Sequence, residues 1–510
     1  MAEVITDALR WWVRALPERV ALDVEAETVT YEQLGQWTDR VARSLADDHG
    51  VRPGDVVAVS GTNSLEWCIA ALGGIKTGAI VTPINYRYTA SEVEFLVRDC
   101  SPKVVIADDG EASKLGEVAS RGQTFELVRL DAMRALQHGP SVPFHVDVAP
   151  TDPAVLAYTS GTTGRPKGLV YTHRTILAGL FELLLKDPTP PEETSMLLAL
   201  PLFSVAGIVH ALIHMASRGA KAIVMGDFDP KRALQLLVEH RVSHMNGVPV
   251  IFERIAAQPE FDQHDLSHLQ VAMTGGARVS DELLAAFHRR GVALRHMYGM
   301  TEVGGFGTAP RPEDALAHPE LCGDGSVFTE VKTVRPDGTD CEPGEEGEIV
   351  MRGPAMMVGY WNNPEATEKA IVDGWLHSGD IGVIDDRGYL RFVDRLKDLI
   401  ISGGFNVSPS EVEAVIGVVP GVSEVAVIAV PDERWGETPA AIIFSESGDV
   451  NDEQVLETAR RELAVFKVPR YVVHADGPLP RMASGKVAKR QLREEYADLP
   501  ARRAPSTGPT

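Results

Sequence analysis

Short apolar runs recur along the chain at 56–59 (VVAV), 104–107 (VVIA), 222–225 (AIVM) and 271–273 (VAM). Such runs, flanked by turn formers, predict strands buried on both faces. Stretches of helical period lie between them. Residues 229–240 place Ala233, Leu236 and Leu237 on one face. Strand and helix alternating in this way predict an α/β protein whose large N-terminal body is built on mainly parallel sheets. Residues 186–193 (KDPTPPEE) read as a solvated loop, and 385–388 (DDRG) as a turn between two strands. Near 395 the texture changes to a compact unit. Its helix at 410–416 opens on Ser408-Pro409, and strands at 425–430 and 440–444 follow. This divides the chain into an N-terminal domain at 1–394, a junction at 395–398, a small mobile α+β domain at 399–499 and a disordered Pro/Ser/Arg tail at 500–510.

The first twenty residues carry Asp7, Arg10 and Arg14 within their apolar pattern, which predicts an amphipathic helix and not a signal peptide. The most apolar stretch, 67–84, is interrupted by Gly73, Gly74, Lys76, Gly78 and Pro83, so no membrane span is expected. Across 510 residues the formal net charge is -23, the wrong sign for a general nucleic-acid binder. The four cysteines are far apart in sequence, which argues against a disulfide framework or zinc site and for a reducing cytoplasmic compartment. Against the acidic background, 460–493 carries nine basic residues and two acidic ones. That excess suits a polyphosphate ligand, although a solvated basic helix face would account for part of it.

The strongest chemical signal is the run 158–168, YTSGTTGRPKG, directly after the apolar 154–157. Gly, Ser and Thr in such density let backbone N–H groups and hydroxyls approach an anion, and Lys167 adds a fixed positive charge. It is not a Walker A loop, because Gly485-Lys486 is followed by Val487.

This run resembles the phosphate loop of the adenylate-forming superfamily, which includes acyl-CoA synthetases, luciferase and peptide-synthetase adenylation domains. The resemblance extends in order through 274–277 (TGGA), 298–302 (YGMTE), 374–380 (GWLHSGD), 394–404 (DRLKDLIISGG) and 480–486 (PRMASGK). It implies a ligase that joins a carboxylic acid to ATP as an acyl-adenylate and passes the acyl group to coenzyme A, with Mg²⁺ as cofactor. By the same resemblance Thr159, Ser160, Gly161, Thr162, Thr163, Gly164 and Lys167 cradle the phosphates. Tyr298 stacks on adenine with Gly276, Ala277 and Gly299 beside it. Thr301 meets the α-phosphate, Glu302 holds Mg²⁺, Asp380 takes the ribose hydroxyls and Arg395 reaches ribose or phosphate. Lys486 is the catalytic lysine of adenylation and Lys397 the hinge. Gly403, Gly404, Trp435, Phe466 and Arg470 face coenzyme A.

The resemblance places the acyl pocket at Phe181, Ser204, Val205, Ala206, Val248, Thr274, Gly304 and Gly305. Ser204 departs from a motif that often carries His there, or Asp in relatives that take amino acids. An α-ammonium would therefore be left unpaired, and a fatty, cyclic or aromatic acid is expected instead. Two other readings stay open: an adenylating enzyme that loads a carrier-protein pantetheine, and a non-catalytic nucleotide-binding protein. Expected partners are the acid, coenzyme A and a lysine acetyltransferase and deacetylase acting on Lys486. A homodimer is also admitted.

Overall fold

The computed structural model describes residues 4–25, 27–159, 166–276, 279–396, 398–402, 405–432, 435–482 and 486–502. The chain falls into two compact units, residues 1–331 with 350–377, and residues 332–349 with 378–510.

The first unit holds two seven-stranded sheets. One runs Leu294–Met297, Val271–Gly275, His244–Gly247, Ser195–Leu198, Lys221–Val224, Val20–Val24 and Glu27–Thr30, parallel but for the last strand. The other has a parallel core of Val56–Ser60, Ile80–Ile84, Val104–Ala107 and Glu126–Arg129. The antiparallel hairpin Pro153–Thr159 and Lys167–Thr172 extends it, followed by Gly359–Tyr360. The strands expected at 56–59, 104–107, 222–225 and 271–273 are present with bounds moved by two residues at most. The helix expected at 229–240 spans Pro230–Glu239. Asp229 caps it by accepting from Arg232 N, and Pro230 fills its first turn, where a missing N–H costs nothing. Helix Leu65–Lys76 is apolar apart from Glu66 and Lys76 and accordingly buried but for Glu66, with Lys76 paired to Asp39. No helix among the described residues is long and apolar enough to cross a membrane.

Residues 186–193 are not simply a solvated loop. Lys186 ends helix His173–Lys186 with its ammonium 2.8 Å from the Gly325 carbonyl, and Asp187 accepts from the buried Arg295 guanidinium at 2.9 Å. A buried guanidinium needs a counter-charge, and that need draws the segment inward.

In the second unit Gly436–Phe444 pairs with Glu424–Asp432, Ile400–Ser402 and Tyr471–His474. Its side chains alternate between two cores. Ala441 and Ile443 pack with Val412, Ile416 and Leu456, whereas Ala440 and Ile442 pack with Leu492 and Leu499. Period-two alternation with apolar residues on both faces calls for helices on both sides, and Pro409–Gly417, Asp452–Glu462 and Lys489–Glu495 provide them. The texture change near 395 falls inside this unit. Asp394 is buried and accepts from Ser408 Oγ at 2.6 Å and Ser410 N at 2.9 Å, which ties strand Leu390–Arg395 to the start of helix Pro409–Gly417. The tail expected from residue 500 begins as a helical turn, Leu499–Arg502, with Leu499 buried; 503–510 lie outside the described residues.

Candidate active site

The phosphate-loop motif sits on the hairpin of the second sheet. Thr159 and Lys167 are cross-strand partners and close the connection. Ser160, Gly161, Thr162, Thr163 and Gly164 lie outside the described residues, as do Ala277, Lys397, Gly403 and Gly404. The Lys167 ammonium stands 4.7 Å from the centre of the Tyr360 ring, a cation–π distance. The Tyr360 hydroxyl donates to Glu302 Oε1 at 3.0 Å. Burial and the neighbouring Glu302 carboxylate push the Tyr360 pKa up, so at neutral pH the phenol keeps the proton it donates. The short turn Thr301–Val303 is fixed from two sides. Tyr171 donates its hydroxyl to the Thr301 carbonyl, and Met357 N donates to the Glu302 carbonyl at 3.0 Å.

Tyr298 is buried just before this turn, with its carbonyl accepting from Thr308 N at 2.8 Å. The next residue has to be glycine, since a Cβ at Gly299 would lie 2.1 Å from the Gly305 carbonyl oxygen. Gly305 itself has φ +93°, and a Cβ there would meet His210 Cε1 at 2.4 Å.

His210 belongs to a π-helical segment, Ala206–Ile213. Ser204 helps to start it: its hydroxyl donates to the Pro201 carbonyl at 2.7 Å and accepts from Gly207 N at 3.0 Å. That hydroxyl is thus engaged with backbone. The ring beside Gly304 and Gly305 comes from His210, whose Nε2 donates to the Gly304 carbonyl at 2.8 Å. The His210 ring lies 4.4 Å from that of Phe306. Burial pulls the His210 pKa down to about 4, so the imidazole is neutral, with its proton on Nε2 to suit the carbonyl. Val205, Ala206 and Val248 are half-buried and Thr274 fully buried. Phe181 stands apart. It is exposed and opens on a separate groove of about 520 Å³ with Phe328, Glu330 and Arg352. Leu177 and Leu180 take the buried face of its helix, and Phe181 lies about 100° round from Leu180.

In the second unit Asp380 and Arg395 are cross-strand partners, with Arg395 Nε 3.8 Å from Asp380 Oδ1. Trp435 and Arg470 are brought together through Asp432, which accepts from Trp435 N at 2.9 Å and from Arg470 Nη1 at 2.5 Å. Phe466 is on the surface, 5.9 Å from the Lys467 ammonium. Lys486 lies just before Val487, which is bridged to Arg481, and its carbonyl accepts from Met482 N at 2.7 Å.

The basic excess at 460–493 is not an open cationic patch. Arg460, Arg461, Lys467, Arg470, Arg481, Lys489, Arg490 and Arg493 each lie within 3.8 Å of a carboxylate of the same unit. Lys467 pairs with Glu411 at 2.6 Å, Lys489 with Glu413 at 2.7 Å and Arg493 with Asp398 at 2.8 Å.

Comparison with known proteins identifies the family. Residues 9–361 match the AMP-binding enzyme family and residues 411–486 the AMP-binding enzyme C-terminal domain. The chain belongs to the AMP-binding enzyme family. Within it, the chain is 37% identical over 504 residues to the long-chain-fatty-acid–CoA ligase FadD13 of Mycobacterium tuberculosis, covering 96% of this chain and 98% of that one. It is 35% identical over 484 residues to the feruloyl-CoA synthase of an Amycolatopsis species, covering 95% and 97%. Among solved structures, ATP-bound MatB from Rhodopseudomonas palustris superposes with a TM-score of 0.89 at 30% identity, covering 98% of this chain and 100% of that one.

Three residues of this AMP-binding enzyme escaped the sequence reading: Tyr360, His210 and Asp432. His210 had a visible signal, since it and His214 are four apart in the otherwise apolar run 205–216. Tyr360 and Asp432 had none, because Glu302 and Arg470, the side chains they meet, are distant in sequence.

Proposed function

We propose that this AMP-binding enzyme is an AMP-forming acyl-CoA synthetase for a fatty, cyclic or aromatic acid. The acid carboxylate attacks the α-phosphorus of ATP, and the bond to pyrophosphate breaks. The thiolate of coenzyme A then attacks the acyl carbonyl, and AMP leaves. AMP is a far better leaving group than the oxide ion of a free carboxylate, which is why the nucleotide is consumed.

The observation that carries this reading is the grouping of Lys167, Tyr360 and Glu302. A fixed cation and a carboxylate, joined through one tyrosine, stand at the end of the phosphate-loop hairpin. Lys167 would neutralise phosphate charge as it builds, Thr301 would donate to the α-phosphate and Tyr298 would pack on adenine. Glu302 fits Mg²⁺, which takes hard oxygen ligands. Among the described residues no three acids or histidines converge, so the nucleotide's own phosphates would complete the coordination. When bound, the metal would supply charge neutralisation. Asp380 and Arg395 would receive the ribose. Lys486 would bridge carboxylate and α-phosphate during adenylation, which makes acetylation of its amine a switch for that step. Rotation at Lys397 would separate the two half-reactions. A reducing cytoplasmic setting fits the unpaired Cys68 and Cys100.

Because Arg470 is taken up by Asp432, the sequence argument for nucleotide-bearing coenzyme A over a carrier-bound pantetheine is weaker, and the test needs both thiols. The test is acid-dependent pyrophosphate release over a carboxylic-acid panel, followed by product detection with coenzyme A and, separately, with a pantetheinylated carrier. Acyl-CoA formation supports the proposal. Pyrophosphate release with transfer only to the carrier would replace it.

A further inference from the structure

Helix Ala90–Cys100 of the first unit ends beside the hairpin that carries the 158–168 run. Its penultimate residue is Asp99. A carboxylate there opposes the helix dipole, because the C-terminal end already carries partial negative charge. Local helix energetics therefore do not account for an acid at this position. Its contacts do. The Tyr158 hydroxyl donates to Asp99 Oδ2 at 2.6 Å, the length of a charge-assisted bond. The Asp99 carbonyl is among the last of its helix, which lack an intrahelical N–H. It accepts from Trp361 Nε1 at 3.2 Å and from Asn362 Nδ2 at 3.1 Å instead.

These bonds close a circuit around the two ends of the run. Tyr158 and Gly168 are cross-strand partners. The Gly168 carbonyl accepts from Trp361 N at 2.7 Å, and the Trp361 indole returns to Asp99. Asp99 thus holds the first strand of the hairpin through its side chain and the second, by way of Trp361, through its backbone. The circuit is tight. A Cβ at Gly168 would lie 3.1 Å from Tyr158 Cε1 and Cζ, so the phenol ring covers this backbone. Tyr158 and Trp361 both pack against the cluster of Cys100, Leu156 and Val170, which steadies the rings that carry the donors. Burial, with Cys100 and Asp99 beside it, pushes the Tyr158 pKa up, so the phenol keeps its proton at neutral pH. Trp361 directly follows Tyr360, so the same clamp holds the strand whose tyrosine meets Lys167 and Glu302.

We infer that Asp99 is a positioning residue for ATP: by clamping Tyr158 and Gly168 it holds the ends of the run at the spacing that its backbone and hydroxyl donors need to receive a polyphosphate. Fixing those ends before the ligand arrives lowers the entropy lost on binding. This rests on the phosphate-loop role proposed above for 159–167 and adds to it a residue that does not touch the nucleotide.

The test measures MgATP and AMP binding to the full chain by calorimetry, with no acid present so that no turnover occurs. AMP shares adenine, ribose and one phosphate with ATP but lacks the pyrophosphate portion. Tyr158→Phe keeps the ring over Gly168 and removes the hydroxyl, and Asp99→Ala removes the same bond from the other side. Each should weaken MgATP binding about tenfold, the low end for loss of a hydrogen bond to a charged group, and shift AMP affinity by less than about twofold. The double variant should lose no more than either single one, because both remove one bond. Asp99→Asn keeps an acceptor oxygen and should recover MgATP affinity to within about threefold of wild type. Thermal unfolding confirms that the variants compared are folded. Equal losses for MgATP and AMP would mean a bond that serves stability alone, and they overturn the inference while leaving the synthetase reading intact. Unchanged MgATP affinity in folded variants, or additive losses in the double variant, overturn it in the same way. A wild-type chain that binds neither nucleotide overturns the phosphate-loop reading itself, and the inference with it.

Discussion

The Tyr360 hydroxyl donates to Glu302 Oε1 at 3.0 Å, although the two residues are fifty-eight apart in the chain. Strand Gly359–Tyr360 pairs with Leu169 and Val170 of the hairpin's second strand, while Glu302 sits in a turn anchored by Tyr171 and Met357. The pair thus fixes the carboxylate with respect to Lys167, whose ammonium rests on the face of the same tyrosine ring.

Tyr360→Phe should keep the ring under Lys167 and remove only the hydrogen bond. A hydrogen bond to a charged group contributes about 1.5–3 kcal/mol, so kcat/KM for MgATP should fall roughly 10- to 100-fold with thermal stability nearly unchanged. Steady-state kinetics at several Mg²⁺ concentrations will show whether the loss follows the metal. Wild-type kinetics would remove Tyr360 from the site.

Lys486→Ala should slow adenylation by about 10²–10³, the usual cost of losing one preorganised charge contact to a transition state. Thioester formation from supplied acyl-adenylate should change far less. Single-turnover measurement of each half-reaction on the same variant decides this. An equal loss in both would rule out a role confined to adenylation.

Gly305→Ala should destabilise the first unit, because φ +93° disfavours any side chain and the new Cβ would press on His210 Cε1. Strain of this kind costs about 1–3 kcal/mol. Adding His210→Ala should recover the packing part of that loss and leave the backbone part. Urea unfolding of the two single variants and the double measures the coupling.

Stability should fall on acidification below pH 6.5. Burial pulls the pKa of His173 and His210 down to about 4 and that of His244 to about 3, and lowers His214 as well. Between pH 6.5 and about 4 the unfolded chain binds protons that the folded chain refuses. Each such histidine then costs about 1.4 kcal/mol per pH unit, and above pH 6.5 both states are neutral and the effect vanishes. Urea midpoints flat from pH 7 to 8 and falling steeply from 6.5 to 5 are expected. A flat profile to pH 5 would show that these rings protonate in place.

Much of this was legible where chemistry is local. The ends of the 158–168 run lie opposite each other on a hairpin that begins with a strand of apolar residues, and Asp380 and Arg395 meet because a DDRG turn folds their strands together. The row Asn246, Met273 and Arg295 could not be read, because these residues become neighbours only through parallel register across three strands. The basic excess at 460–493 was overvalued for a related reason. Summing charge along a window misses the acids that neutralise it, and Asp398, Glu411, Glu413, Glu424 and Asp432 all lie outside that window. Phe181 was assigned to the acyl pocket by resemblance, and its exposure on the outer face of its helix could not be read, because that face too carries apolar residues.

The pairing of those basic side chains bears on how fast the nucleotide arrives. Electrostatic steering needs uncompensated charge that reaches beyond the Debye length, about 8 Å at physiological ionic strength. Arginines and lysines closed into ion pairs present dipoles, whose fields decay faster, on a chain of net charge -23. An incoming polyanion therefore meets net repulsion until it is at close range. Added salt should screen that repulsion and speed ATP association, the reverse of the behaviour of a protein with a cationic funnel, so that capture of the nucleotide depends on short-range fit rather than on long-range attraction.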